Sequence, residues 1–369
     1  MLTRIYIDNF RCLVNFELRL GRLNLLLGEN GTGKSSVFEV LQRLRHFVGG
    51  DTKVTTAFPA SDLTRWQTTR LQRFEIDLTI GPDAYSYALL VEHFENRKGM
   101  RVKNERLTLA DRPLFEFKEG SAQLYHDDFK PGPGYPFDWT QSGVGSLYER
   151  NDNKKLTRFR KEMEKFEIAQ INPCNMSSES RQEDRTLSRR MENFSSWYRY
   201  LSQEHQATLP RLFDELRRVI PGFDGFSIKD AGEDVRVLKV LFEGEPLNGR
   251  PLVYDFAELS DGQRVLIALY ALLFGLKGEG ASLFLDEPEN FVTLREIQPW
   301  LAALTDACGE SVEQAVLISH HPEVIDYLAG SAGLWLERDK GGPVRIVERR
   351  NVTADGLKTS EAMARGWTR

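Results

Sequence analysis

Apolar and polar positions alternate with period two over much of the first third of the chain. From residue 73 to about 126 the pattern recurs in RFEIDLTI, YSYALLVEHF, RVKNERLTL, PLFEFKEG and AQLYH, separated by Gly-Pro and Asn-Arg-Lys-Gly turns. This predicts a meander of antiparallel strands. Upstream, residues 2–7 read as a strand and 14–20 alternate strictly. Residues 23–27 are apolar except for Asn24, which predicts a strand buried on both faces. A glycine-rich turn follows, then SSVFEVLQRLRHFV, with helical spacing and a stop at Gly49 and Gly50. Residues 51–70 read as loop. So do residues 127–145, which are rich in Pro and Gly.

The pattern then changes. Residues 146–220 are polar and helical in period, broken at Asn172 and Pro173. Strand patterns resume over 226–242. They are followed by a helix over 262–277, an apolar strand over 281–285, a helix over 294–308 and an apolar strand over 315–319. A short helix over 322–328 and strands over 333–337 and 344–348 complete the series. Alternation of helix with buried strand predicts a parallel sheet covered by helices. The expected organisation is an N-terminal lobe over 1–145, an inserted helical subdomain over 146–222 and a C-terminal lobe over 223–369. No internal repeat interrupts it.

Composition narrows the function classes. With 369 residues, 41% of them hydrophobic and 28% charged, the chain can bury a substantial core. No apolar run reaches the ~18–20 residues of a membrane span, and MLTRIYIDNF lacks an apolar signal core, so the expectation is a cytoplasmic protein with no membrane partner. Cys12, Cys174 and Cys308 are odd in number, far apart and outside any CxxC, which fits a reducing compartment and argues against structural zinc. A net charge of −5 argues against wholesale nucleic-acid coating. It conceals one basic stretch, 154–190, with ten basic residues against six acidic. That stretch is either a contact for DNA or a protein, through residues such as Arg185, Arg189 and Arg190, or a solvated face laced with internal ion pairs. Trp197, Tyr198 and Tyr200 beside it read as packing residues.

Four motifs carry chemistry. Gly28-Glu29-Asn30-Gly31-Thr32-Gly33-Lys34-Ser35 matches G-x-x-x-x-G-K-[ST] between a buried strand and an amphipathic helix. Its glycines let successive N–H groups face a phosphate, Lys34 brings charge to the β and γ phosphates, and the Ser35 hydroxyl suits Mg²⁺. In ASLFLDEPEN an apolar strand delivers Asp286 to its end, where a metal or its water would sit. Glu287 is then the candidate general base for an attacking water. Leu259-Ser260-Asp261-Gly262-Gln263 opens an apolar helix, as a second anion site or as an ordinary capping turn. Ile318-Ser319-His320-His321-Pro322 ends the next apolar strand, and either ring could reach a phosphate.

In this order GENGTGKSS, LSDGQ, LFLDEPEN and ISHHPEV resemble the ABC-type ATPase heads of the SMC/RecF/OLD group, which includes the AAA_21 ATPases of bacterial DNA repair and phage defence. The opening IDNFRCLVNFEL is similar to that group's N-terminal "NFR" strand. The resemblance implies an α/β P-loop NTPase fold of ABC-ATPase type, with a mixed sheet, an antiparallel β subdomain and an inserted helical subdomain. It implies ATP and Mg²⁺. Gly28, Asn30, Gly31, Gly33, Lys34, Ser35 and Ser36 match the Walker A loop, Asp286 the Walker B metal ligand and Glu287 the catalytic glutamate. Ser260, Gly262 and Gln263 match the signature that caps ATP on a second subunit. His320 matches the switch histidine, Asn290 falls in the D-loop, and Arg11 is expected near the nucleotide. The family's His-Leu-His-Pro after DEPEN is replaced by Phe291-Val292-Thr293-Leu294. Gln67 and Gln72 are the candidates for the Q-loop glutamine.

The long interval between Lys34 and Ser260 separates the chain from transporter subunits, and residues 146–220 are too short and broken for SMC arms. No acidic nuclease constellation follows His320. The expectation is therefore an ATPase that hydrolyses ATP to ADP and phosphate, forms a homodimer or higher oligomer around ATP, and acts as a switch or sensor controlling DNA engagement or a separate effector, a nuclease or toxin encoded nearby, in phage defence. The alternative is a RecF-like DNA clamp without an effector. A P-loop kinase leaves LSDGQ without a purpose.

Overall fold

A computed structural model describes residues 1–94, 99–244, 252–276, 278, 280–347 and 358–365. The chain divides into two compact units, Met1–Phe166 with Ala332–Arg350, and Glu167–Ser331 with Asn351–Arg369.

The first unit is built on an eight-stranded antiparallel sheet. Its order is Phe16–Arg19, Leu2–Asp8, Leu71–Ile80, Asp83–His93, Met100–Leu109, Arg112–Lys118, Ser121–Tyr125 and Pro131–Pro136. Period-two alternation sends Phe74, Ile76 and Leu78 to the buried face, opposite Ile7, Ile5 and Leu2 of the neighbouring strand. The other face is charged and self-paired: Arg4 bridges Glu17, Glu75 and Asp77. Aromatic stacking closes the buried face. Phe58 lies 4.6 Å from Phe74, and Phe159 of helix Lys154–Glu164 lies 5.7 Å from Tyr87.

The strand Pro131–Pro136 corrects the loop expected over 127–145. Pro and Gly are tolerated there because it is the last strand of the sheet, where no outer neighbour needs the missing N–H groups. Further along the same stretch, the buried Glu105 carboxylate accepts hydrogen bonds from Tyr87 Oη, Ser142 Oγ and the Gly143 N–H. The turn expected at Asn96, Arg97 and Lys98 lies outside the described residues.

Strand Leu23–Leu27 runs parallel to Gly333–Arg338, which pairs antiparallel with Val344–Val347, giving the mixed sheet implied by the motifs. Helix Lys34–Gly49 follows the first of these strands and ends on Gly50 in the left-handed region (φ 86°), which only glycine adopts without strain.

In the second unit Ala281–Asp286 and Val312–Ile318 run parallel, and Phe166–Ala169 lies on the other side of Ala281–Asp286. Every residue of Ala281–Asp286 is buried, as its apolar run requires. Helices Asp261–Tyr270 and Leu294–Ala307 pack together, with Trp300 Nε1 donating to Leu269 O. The first continues as a π turn over Ala271–Gly275, and Lys277, its expected end, lies outside the described residues. Helix Pro322–Ala332 holds the short helix Thr359–Ala364 through Asp326 and Ser360.

A smaller antiparallel sheet, Phe223–Asp230, Arg236–Phe242, Leu252–Asp255 and Glu179–Ser180, packs Phe226 against Tyr198 and Phe213 of helices Phe194–Glu204 and Leu209–Val219. Trp197 and Tyr198 are buried.

The stretch 146–222 forms three helices, but it also contains strand Phe166–Ala169 and much irregular chain, and it is shared between the two units. Polar helical periodicity registered the helices and not the strands Phe166–Ala169 and Glu179–Ser180, which have only four and two residues.

Candidate functional site

The phosphate loop emerges from strand Leu23–Leu27. Gly28 has φ 148°, and a Cβ there would lie 2.3 Å from the Leu336 carbonyl oxygen, so no larger residue fits. Gly31 and Gly33 take φ 79° and 81°. Gly33 precedes the helix, and no side chain caps its first N–H groups and no acid occupies its first turn. A helix start of this kind, without an acid in its first turn, favours an anion. Lys34 is buried and donates to Gly28 O at 2.7 Å and Glu29 O at 3.0 Å. Ser35 is exposed at the helix start.

Arg11, expected near the nucleotide, sits in an ion-pair cluster. Its guanidinium is taken up by Glu39 in a bidentate pair and by Asp62. Arg43 closes the same cluster from Glu39 to Asp62. Gln72 is fully buried within strand Leu71–Ile80, bonded to Asn9 O and His93, so it is no loop glutamine. Gln67 lies in the loop before that strand and donates to Asp8.

In the second unit the signature segment is at once a cap. The Ser260 side chain accepts from the Gln263 N–H, and the Gln263 side chain accepts from the Ser260 N–H. Gly262 lies so close to the D-loop segment that a Cβ would meet Phe291 O at 2.9 Å.

Strand Ala281–Asp286 ends on Asp286, which is 3% exposed. The Arg189 guanidinium stands 3.6 Å from its Oδ2. Glu287 takes φ 51°, a left-handed conformation uncommon outside glycine, and its N–H donates to Ile318 O at 2.8 Å. That kink carries the carboxylate to where Asn290 Nδ2 donates to Oε2 at 2.8 Å and His320 Nε2 lies 3.9 Å from Oε1. His321 is engaged otherwise: its N–H donates to Ser319 Oγ, and its Nδ1 accepts from the Glu323 N–H. Of the two adjacent rings, His320 faces Glu287.

Sequence reasoning missed two residues. One is Arg189, read only as part of a basic stretch. The other is Glu289, buried beneath the turn, whose Oε1 accepts from Ser319 Oγ at 2.5 Å. Burial pushes its carboxyl above the ordinary 4.5. The third acid of DEPEN was the available signal.

Elsewhere in the basic stretch, Arg158 binds Asp83, Arg160 binds Leu147 O, Lys161 binds Glu149 and Lys165 binds Glu162. These side chains follow the internally paired reading.

Taken one unit at a time, Ser35 of the first presents an exposed hydroxyl and Asp286 of the second a buried carboxylate, each a hard oxygen of the kind Mg²⁺ takes. Asp286 is a buried anion already drawing a cation, Arg189.

Residues 23–326 match the family described as "AAA domain, putative AbiEii toxin, Type IV TA system", and the chain belongs to that family of ATPase domains. Its fold is that of an SMC-like ABC ATPase head. It resembles the crystal structure of an SMC head bound to the C-terminal winged-helix domain of ScpA, with a TM-score of 0.56, 12% identity, and 98% of this chain and 99% of that one covered. The SMC head domain from Thermotoga maritima aligns with a TM-score of 0.48 and 12% identity over 94% of this chain and 99% of that one. No curated protein sequence matches. Among the described residues no helix is long and apolar enough to cross a membrane.

Proposed function

We propose that the chain is an ATP-driven switch that hydrolyses ATP with Glu287 and works as a homodimer around the nucleotide. The observation that carries this reading is the Glu287 turn: a strained residue directly after Asp286, with its carboxylate between Asn290 and His320. A carboxylate so held can orient a water and accept its proton, while His320 is placed to follow the phosphate end of the substrate.

The Walker A backbone and Lys34 bind the phosphates. Ser35 and Asp286 are the residues that would hold Mg²⁺, which when bound would neutralise phosphate charge. Ser260, Gly262 and Gln263 are assigned to the ATP of the second copy, because one chain has no need of two anion-binding helix starts.

The ATPase motif set, with no second catalytic constellation among the described residues, supports control of DNA engagement or of a separate effector, a nuclease or toxin encoded nearby, in cytoplasmic defence against phage. The DNA-clamp alternative gains little from residues 154–190, whose cations are largely engaged with local acids and carbonyls. Salt-sensitive DNA binding by the isolated protein would favour it. The reading itself is tested by Glu287→Gln, which should hold ATP and accumulate as the closed dimer.

A further inference from the structure

We propose that Trp66 is the nucleobase platform of the phosphate loop, and that the Asn9–Arg11 segment exists to hold it there. The proposal rests on the ATP reading above and assigns the part of the ligand that the Walker A loop does not touch.

Trp66 is 45% exposed, yet its surroundings are built. The Arg338 guanidinium lies over the indole, 5.5 Å from the ring centroid. The same guanidinium donates Nη1 to Gly31 O of the phosphate loop at 2.7 Å, and its other nitrogens go to Gly341 O and Gly342 O. One rigid side chain thus braces the indole against the loop. The ring centroid lies no more than about 10 Å from the Gly31 oxygen. That is within the reach of a nucleotide between its phosphates and its base.

The chain segment that carries Trp66 is pinned at both ends by the N-terminal strand. Asn9, buried at φ 61°, donates to Thr69 O and Leu71 O and accepts from the Thr64 N–H. Arg11 donates its N–H to Asp62 O and Nε to Asp62 Oδ1. Trp66 adds its own N–H to Thr64 Oγ1. Bonds from the buried Asn9 and from Arg11 on either side of Trp66 hold the loop in one shape. A half-exposed, preorganised aromatic face beside a phosphate cradle suits a purine, which stacks through its π face whatever its edge carries. This gives Arg11 its place near the nucleotide: it acts through Asp62 on the platform and does not touch the ligand.

The test is titration calorimetry of the full chain with ATP–Mg²⁺ and, separately, with inorganic tripolyphosphate–Mg²⁺. Trp66→Ala should weaken ATP about tenfold and leave tripolyphosphate unchanged. Trp66→Phe, which keeps a stacking face, should stay within about threefold of wild type for both. Unchanged ATP affinity in Trp66→Ala overturns the proposal, and so does an equal loss for both ligands, which would mark a structural tryptophan. A wild-type chain that binds neither ligand overturns the ATP reading and the platform with it.

Discussion

His320 Nε2 stands 3.9 Å from Glu287 Oε1, the two side chains projecting from the ends of neighbouring parallel strands. Neither residue reaches the other by local sequence. The Glu287 N–H bonds to Ile318 O, which ties the two strand ends together and sets that separation. A histidine here, next to the carboxylate we assign as the base, can respond to a phosphate and alter that carboxylate's orientation. His320→Ala should therefore lower kcat about a hundredfold while ATP affinity moves by less than about threefold. Steady-state hydrolysis with parallel equilibrium binding checks this. His321→Ala, whose ring accepts from the Glu323 N–H, should mainly lower stability.

Glu289 makes the second prediction. Its carboxyl is buried, bonded to Ser319 Oγ through Oε1, and Oε2 is buried without a hydrogen bond. Burial raises its folded-state value above the ordinary 4.5. The folded protein thus holds this proton more tightly than the unfolded chain. The resulting stabilisation is complete below about 4.5 and declines as pH rises from there through the folded value. Glu289→Gln imitates the protonated acid and should match or exceed wild-type stability at neutral pH, with that pH dependence removed. Glu289→Ala should cost about 2 kcal/mol by cutting the tie to Ser319 and leaving a cavity. Thermal melts across pH distinguish the three proteins.

Arg189 makes the third. It pairs with Asp286, the residue assigned to the metal, so it competes with a divalent cation for the same carboxylate. Arg189→Gln should lower the Mg²⁺ concentration that half-saturates ATP binding by about fivefold, the equivalent of ~1 kcal/mol for a partly buried pair. Arg190→Gln, from the same basic stretch, should leave it unchanged. Titrating Mg²⁺ at fixed ATP reads the difference.

What the sequence made legible was local. Gly28 to Ser35 and the apolar run ending at Asp286 each carry their meaning within ten residues, and their backbone geometry follows from glycine and burial. Contacts between distant residues were not legible. No periodicity joins Arg189 to Asp286, Glu289 to Ser319, or Asn9 to Thr64 and Thr69, because side chains meet there only after the chain has folded. The Pro131–Pro136 strand was hidden by its composition, since the same residues that mark a loop are harmless on a sheet edge. The division into units was hidden because Ala332–Arg350 returns to the first unit after the chain has run through Glu167–Ser331 of the second.

Hydrolysis of ATP by Glu287→Gln, measured beside wild type together with particle size in the presence of ATP and Mg²⁺, tests the central claim most directly. Removing the carboxylate that accepts the Asn290 and His320 contacts should reduce turnover about a hundredfold or more and leave the variant as an ATP-bound dimer. Hydrolysis at the wild-type rate would contradict the assignment of Glu287 and the switch built on it.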